Sequence, residues 1–270
     1  MWNIGKPPMK VSPIQGAQSV SRTLQVLRAI AGQLGRGVSL AYITHQTELT
    51  KPTVHRLLQA LMAEGMVDRS EEEGYFLGPE CYALGVIADQ RYGLSRIAST
   101  PVKRIAEECG DSAFFSLRSE WHSICLIRED GNYPIKTHVL QPGTRLPLGV
   151  GGGGIAMLAA LDDDEIERCL DANAEECATR FPHDQRSDLL PRVAECRALG
   201  YGINRGSVVS GSWGVGAVVR DEADRVIGSL SIAAIDSRLQ PDRQQQFGPL
   251  LVREAKALES KIQQAQRTRR

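Results

Sequence analysis

Thr50-Lys51-Pro52-Thr53-Val54-His55-Arg56-Leu57-Leu58 is the stretch on which the reading of this chain turns. Thr50 is a helix-capping residue type, Pro52 suits a first helical turn, and Val54, Leu57, Leu58 and Leu61 recur at intervals of three and four, which makes one helical face apolar. Lys51, Thr53, His55, Arg56 and Gln59 are left for the other faces. A helix whose N-terminal end enters the major groove of duplex DNA needs such a set: long donors for guanine edges and phosphates, short hydroxyls for close approach. An ordinary amphipathic surface helix shares the apolar spacing, so the neighbours decide between the two.

Upstream, Val20, Leu24, Leu27, Ala31 and Leu34 form an apolar stripe at helical spacing, which Gly35-Arg36-Gly37 stops. Ser39 can cap a second helix carrying Leu40, Ile43 and Thr47, and Glu48-Leu49 supplies the tight turn into the Thr50 helix. Downstream, Met66-Val67-Asp68-Arg69 and Tyr75-Phe76-Leu77-Gly78 flank the acidic turn Glu71-Glu72-Glu73-Gly74 and read as a two-stranded hairpin. Three helices and a hairpin in that order predict a winged helix-turn-helix over residues 17–78.

The chain has 270 residues, 42% hydrophobic and 24% charged, enough for two modest domains. Its 32 basic residues are balanced by 32 acidic ones, and residues 17–78 hold six of each, so bulk charge adds little attraction to a polyanion. Affinity for double-stranded DNA then leans on dimerisation and specific contacts. Six widely spread cysteines with no Cys-x-x-Cys pair read as reduced, buried thiols of a cytoplasmic protein. No apolar run reaches membrane-spanning length, and residues 1–16 read as a flexible arm.

From Pro79 the spacing of Cys81, Leu84, Ile87, Ala88 and Tyr92 predicts a linker helix over 79–97, with a further helical pattern through Val102, Ile105 and Ala106. The period then changes. Strands are expected over 112–118, 123–128, 135–140, 214–220 and 226–233, and helices over 155–160, 164–170, 189–198 and 247–262. Helices segregated around an antiparallel sheet make residues 98–270 an α+β domain. Asp162-Asp163-Asp164-Glu165 is a helix-start signature, a simpler account than a metal site.

Gly149-Val150-Gly151-Gly152-Gly153-Gly154 precedes a helix-forming run from Ile155. Bare amides at a helix start attract an anion, and a carboxylate suits them. Gly149-x-Gly151-x-x-Gly154 also matches the dinucleotide fingerprint, but no βαβ unit surrounds it, and no Gly-Lys-Ser/Thr ends a phosphate loop. Glycines needed only for a tight turn remain a competing account. Neither Gly-x-Ser-x-Gly nor His-Glu-x-x-His occurs, so no catalytic residue, metal site or cofactor is expected.

Several of these blocks resemble the IclR family of bacterial transcriptional regulators: Ser19-Val20-Ser21-Arg22-Thr23-Leu24 at the start, Thr53-Val54-His55-Arg56-Leu57-Leu58 as recognition helix, and Leu77-Gly78-Pro79 with Leu84-Gly85 at the exit from the wing. The resemblance runs to the C-terminus. It implies a GAF-like effector-binding and oligomerisation domain, a homodimer or homotetramer, and a small organic acid as effector. Carried across position by position, the family's ligand contacts fall on Gly152, Gly153, Asn204, Gly214, Ser231 and Ala233. Asn204 stands where relatives often have Asp, and Gly214 and Ala233 remove bulk. Trp213, Met157, Leu146, Phe115 and Ile203 are the expected apolar walls, and the set points to an acid larger than two carbons, aromatic or branched. Two other classes stay open: a constitutive DNA-binding protein whose C-terminal domain only oligomerises, and an enzyme using the glycine loop for an anionic substrate.

Overall fold

The computed structural model describes residues 16–32, 37–72 and 74–267. Helices α1 (Gln18–Ala31), α2 (Leu40–Thr47) and α3 (Lys51–Ala63) precede a hairpin of β1 (Val67–Ser70) and β2 (Gly74–Leu77). α2 starts where the Ser39 hydroxyl accepts from the Tyr42 amide at 3.1 Å, and it stops at Glu48, whose φ of 56° turns the chain toward α3. Thr50 does occupy the N-cap position of α3, but its hydroxyl pairs with that of Thr53 at 2.8 Å and caps no amide. Val54, Leu58 and Leu61 bury the inner face of α3 in a core shared with Val26, Ala29, Ile30, Ile43, Val67 and Tyr75. Val38 and Tyr75 exchange two backbone hydrogen bonds, which adds one rung to the wing.

The α1 stripe needs correction. Val20 and Leu24 are 58% and 41% exposed, because the core reaches only Val26, Leu27, Ala29 and Ile30 in the second half of the helix. Leu34, Gly35, Arg36, Glu73 and the 1–15 arm lie outside the described residues. After the wing come α4 (Pro79–Tyr92) and α5 (Leu94–Cys109), and the chain divides into two compact units between Gly93 and Leu94. Tyr82, Leu84, Val86 and Ile87 of α4 are all exposed.

One antiparallel six-stranded sheet organises the second unit, in the order β5-β4-β3-β8-β7-β6. Its strands are β3 (Ser112–Ser119), β4 (His122–Asp130), β5 (Arg145–Pro147), β6 (Gly202–Val209), β7 (Ser212–Arg220) and β8 (Val226–Ile235). Alternation along the strands sends Phe115, Ile203, Val215, Ala217 and Leu230 into one core with residues of α5 and α9 (Pro241–Arg267). α6 (Gly151–Ala159) covers the other face, and α7 (Asp163–Arg180) and α8 (Arg186–Leu199) share a second core with it through Leu158, Ile166, Cys169, Leu189 and Val193. Asp162 caps α7, accepting from the Glu165 amide at 2.6 Å.

Three strand expectations change, the first being that Arg145–Pro147 forms the short edge strand β5. Residues 135–140 form no strand; side chains hold that stretch instead, through Lys136 Nζ on the carbonyls of Gly110 and Gly131 and Arg128 on that of Leu140. β6 was not anticipated, because Gly202, Asn204 and Gly206 interrupt the apolar alternation that marks a strand. All six cysteines are free, and five are buried. Burial pushes the Cys109 thiol up to about 11 and those of Cys125, Cys169, Cys177 and Cys196 to about 12. Among the described residues no helix is long and apolar enough to cross a membrane.

α6 meets the sheet backbone to backbone. A Cβ on Gly152 would lie 2.9 Å from the Gly214 carbonyl, and one on Gly216 would lie 2.5 Å from the Gly153 Cα. Gly216→Ala is therefore expected to lower the unfolding free energy by about 1–3 kcal/mol, as overpacking does. Gly85→Ala in α4, where an added Cβ meets nothing within 4 Å, is expected to raise it by about 0.5–1 kcal/mol. Denaturant unfolding of both variants measures the contrast.

Candidate functional site

The outer face of α3 carries exposed Lys51, His55, Arg56 and Gln59, while Thr53 is half-buried and tied to Thr50. Among the described residues neither Lys51 nor Arg56 enters an ion pair, so both cations face solvent uncompensated. The apolar side chains that fix this helix and the polar ones that project from it occupy separate faces. A surface of this kind can donate to base edges and phosphates without disturbing the core.

The second site is a cavity under the start of α6. Asn204, Gly214 and Ala233 lie side by side on β6, β7 and β8, and Gly216, Ser231 and Phe114 form the next row. Space opens there because Gly214 has no side chain and Ala233 only a methyl. Gly152, Gly153, Asn204, Gly214, Ser231, Ala233, Trp213 and Leu146 all line the cavity, so the structure brings these eight expected residues together. Met157 does not join them. It lies one helical turn beyond Gly153, about 6 Å along α6, and is fully buried with Leu158, Ile166 and Val226. Phe115 and Ile203 belong to the core on the opposite sheet face, against which the Trp213 side chain also packs from the cavity's edge, and Phe114 takes the wall position expected for Phe115.

Sequence reasoning missed Ser116, Ser123, Val139, Leu140 and Ser212, which also line the cavity. Strand parity would have found Ser116 once Phe114 was placed, since alternate residues share a face. Val139 and Leu140 carried no signal because their stretch is irregular.

Among the described residues no charged side chain lines this cavity. Its polar groups are serine hydroxyls, Asn204 and the start of α6, where Gly152, Gly153 and Gly154 are buried and no side chain caps the helix. Orphan amides at a buried helix start ask for an acceptor. Asn204, 4% exposed, accepts on Oδ1 from the Ser207 amide at 3.1 Å and from its hydroxyl at 2.6 Å, which leaves its NH2 for a guest.

The dinucleotide alternative loses its basis: the glycines follow β5, an edge strand antiparallel to β4, and among the described residues no parallel βαβ unit is formed. Among the described residues no three His, Cys, Asp or Glu side chains gather to hold a metal.

Residues 86–260 match the family model of the bacterial transcriptional regulator IclR C-terminal domain, and residues 19–71 match that of the IclR helix-turn-helix domain. The chain belongs to the IclR family. It is thus a DNA-binding transcriptional regulator with a C-terminal effector domain, not an enzyme. The transcriptional repressor IclR of Escherichia coli is 26% identical over 254 residues, covering 93% of this chain and 92% of the repressor. The regulator KdgR of Escherichia coli is 24% identical over 261 residues, 96% of each chain. Among solved structures, an IclR family regulator from Brucella abortus superposes with a TM-score of 0.75 at 22% identity, covering 95% of this chain and 98% of that one. An IclR homolog from Microbacterium hydrocarbonoxydans complexed with 4-hydroxybenzoate gives 0.72 at 18% identity, with 91% and 99% covered.

A Cβ added at Gly214 would sit 3.6 Å from the Gly152 nitrogen and 3.3 Å from the Ile232 carbonyl. For an acid held at this IclR-type helix start, Gly214→Ala should weaken binding by about tenfold, within the range of about 1–3 kcal/mol for overfilling a packed space. Calorimetric titration beside thermal unfolding separates that loss from any loss of stability.

Proposed function

We propose that this regulator reads its operator through Lys51, Thr53, His55 and Arg56 and senses a small carboxylic acid in the cavity under α6. The observation that carries the sensor reading is the buried, uncapped start of α6 beside a cavity that also holds the Asn204 amide and Ser231. In this reading the acid's carboxylate accepts from the Gly152 and Gly153 amides, Asn204 and Ser231 bind its remaining polar atoms, and Phe114, Leu146 and Ala233 enclose its carbon skeleton.

Size narrows the class. The cavity leaves about 40 Å³ for the centres of water-sized molecules. One water needs roughly 10–15 Å³ on that measure, and a cavity of about 150 Å³ holds benzene. A compact aliphatic acid therefore suits the cavity as it stands, which revises the expectation of an aromatic or branched one. A ring such as the 4-hydroxybenzoate of the Microbacterium hydrocarbonoxydans homolog would require Val139 or Leu140 to move. With no cation in the lining, a monoanion is favoured over a dianion.

Pairing of two chains follows from need, because one short recognition helix reads few bases. The exposed apolar side chains of α4 are surface that a homodimer or homotetramer can cover. The acid then alters regulation through unequal affinity for two domain arrangements, transmitted along residues 79–97. A cytoplasmic protein is the reading that DNA binding supports, since an operator is met there.

A thermal-shift panel of short aliphatic and aromatic carboxylic acids on the full chain tests the sensor. A true effector at a hundred times its Kd adds about 2.7 kcal/mol of stability. Silence across the panel would favour the constitutive DNA-binding alternative. Arg56→Ala is expected to weaken binding to an operator fragment selected from genomic DNA by about 1–3 kcal/mol while the acid-induced shift persists. Equal loss of both activities would point instead to misfolding.

A further inference from the structure

At about 100° of turn per residue, the exposed side chains of α3 divide into one outermost row and two shoulders. Pro52, Arg56, Gln59 and Ala63 form the row, on the side of the helix opposite buried Val54, Leu58 and Leu61. Lys51 and His55 lie on one shoulder, Thr53 and Ala60 on the other. The residue that leads this helix into a groove is therefore Pro52, not the lysine beside it. A proline suits the first helical turn because its φ is fixed, but that role is served by any orientation about the helix axis. It does not explain an exposed ring at the centre of the outward face.

The polar groups around that ring are withdrawn. Proline has no amide hydrogen, Thr50 caps no amide, and the Thr50 and Thr53 hydroxyls bond to each other at 2.8 Å. An apolar tip of this kind has one counterpart on the base edges of the major groove, the 5-methyl group of thymine. Cytosine lacks that methyl, and a purine presents an N7 acceptor that the ring would desolvate without bonding. We propose that Pro52 is a specificity-determining residue whose ring packs on a thymine methyl, so that each operator half-site carries a thymine within about two base pairs of the guanine read by Arg56. The spacing follows from the helix: four residues rise about 6 Å, roughly two base-pair steps of about 3.4 Å. This contact rests on the operator reading of α3.

The full-length protein first selects a duplex from a randomised pool. In that duplex each thymine is replaced in turn by deoxyuridine, which pairs alike but lacks the methyl, and each guanine by 7-deazaguanine, which lacks the N7 acceptor. Binding is measured for the wild type, Pro52→Ala and Arg56→Ala, with unfolding midpoints establishing that each is folded. In the wild type one thymine per half-site is expected to lose about fourfold in affinity as deoxyuridine, the factor that about 0.8 kcal/mol for one buried methyl supplies. Pro52→Ala should bind the thymine and deoxyuridine duplexes equally. The guanine whose replacement no longer matters to Arg56→Ala should lie within about two base pairs of that thymine, and a larger separation overturns the shared reading row. A wild type indifferent to every deoxyuridine, or a folded Pro52→Ala that keeps the full methyl preference, overturns the Pro52 contact, while weakened binding by Arg56→Ala keeps the operator reading standing. If neither Arg56→Ala nor Pro52→Ala changes binding to the selected duplex, the operator reading of α3 itself falls, and the thymine contact falls with it.

Discussion

The contact on which the second unit depends is the backbone-to-backbone approach of α6 to β6 and β7. Gly152 and Gly153 on the helix meet Gly202, Gly214 and Gly216 on the sheet at distances no side chain would allow. That approach brings the positive end of a helix dipole into the interior, where no side chain caps it. Packing and ligand capture are thus not rival accounts of the glycine run. The same missing side chains that let helix and sheet touch also leave amides bare and open a cavity where Gly214 and Ala233 lie.

Balanced charge over the whole chain hides an uneven distribution. In the second unit Arg118, Arg128, Arg192, Arg197, Arg205, Arg238 and Arg243 are all engaged by carboxylates. On α3, Lys51 and Arg56 are left without such partners among the described residues. A neutral protein can therefore present a locally cationic helix to DNA. The weak global field then makes site recognition depend on contact geometry more than on long-range attraction.

The winged helix-turn-helix was legible because α3 obeys a single period and its neighbours carry local signals, such as the Ser39 cap and the Glu48 turn, that act within a few residues. The cavity was legible at its glycine start and at Asn204, Gly214, Ser231 and Ala233. Its apolar walls were misread where orientation depends on register. Phe114 and Phe115 are chemically identical, and only the pairing of Phe114 with Ser231 decides which faces α6. Met157 carried the right chemistry one turn too far along the helix. β6 escaped notice because the residues that make it useful, Gly202, Asn204 and Gly206, are the ones that erase a strand's alternation. Residues 135–140 looked like a strand by composition, yet their backbone is tied by Lys136 and Arg128, long side chains whose reach no local pattern reveals.

Under the proposed acid-sensing reading, a lining without cations also sets the strength of binding. Hydrogen bonds from neutral donors to a carboxylate contribute about 1.5–3 kcal/mol each, and ordering the ligand offsets part of that sum. A few such bonds with modest apolar enclosure lead to micromolar to millimolar dissociation constants, about −8 to −4 kcal/mol. An Arg or Lys in the cavity would raise affinity and admit a wider range of anions. Neutral donors held in place by the fold instead discriminate by the position and type of each acceptor.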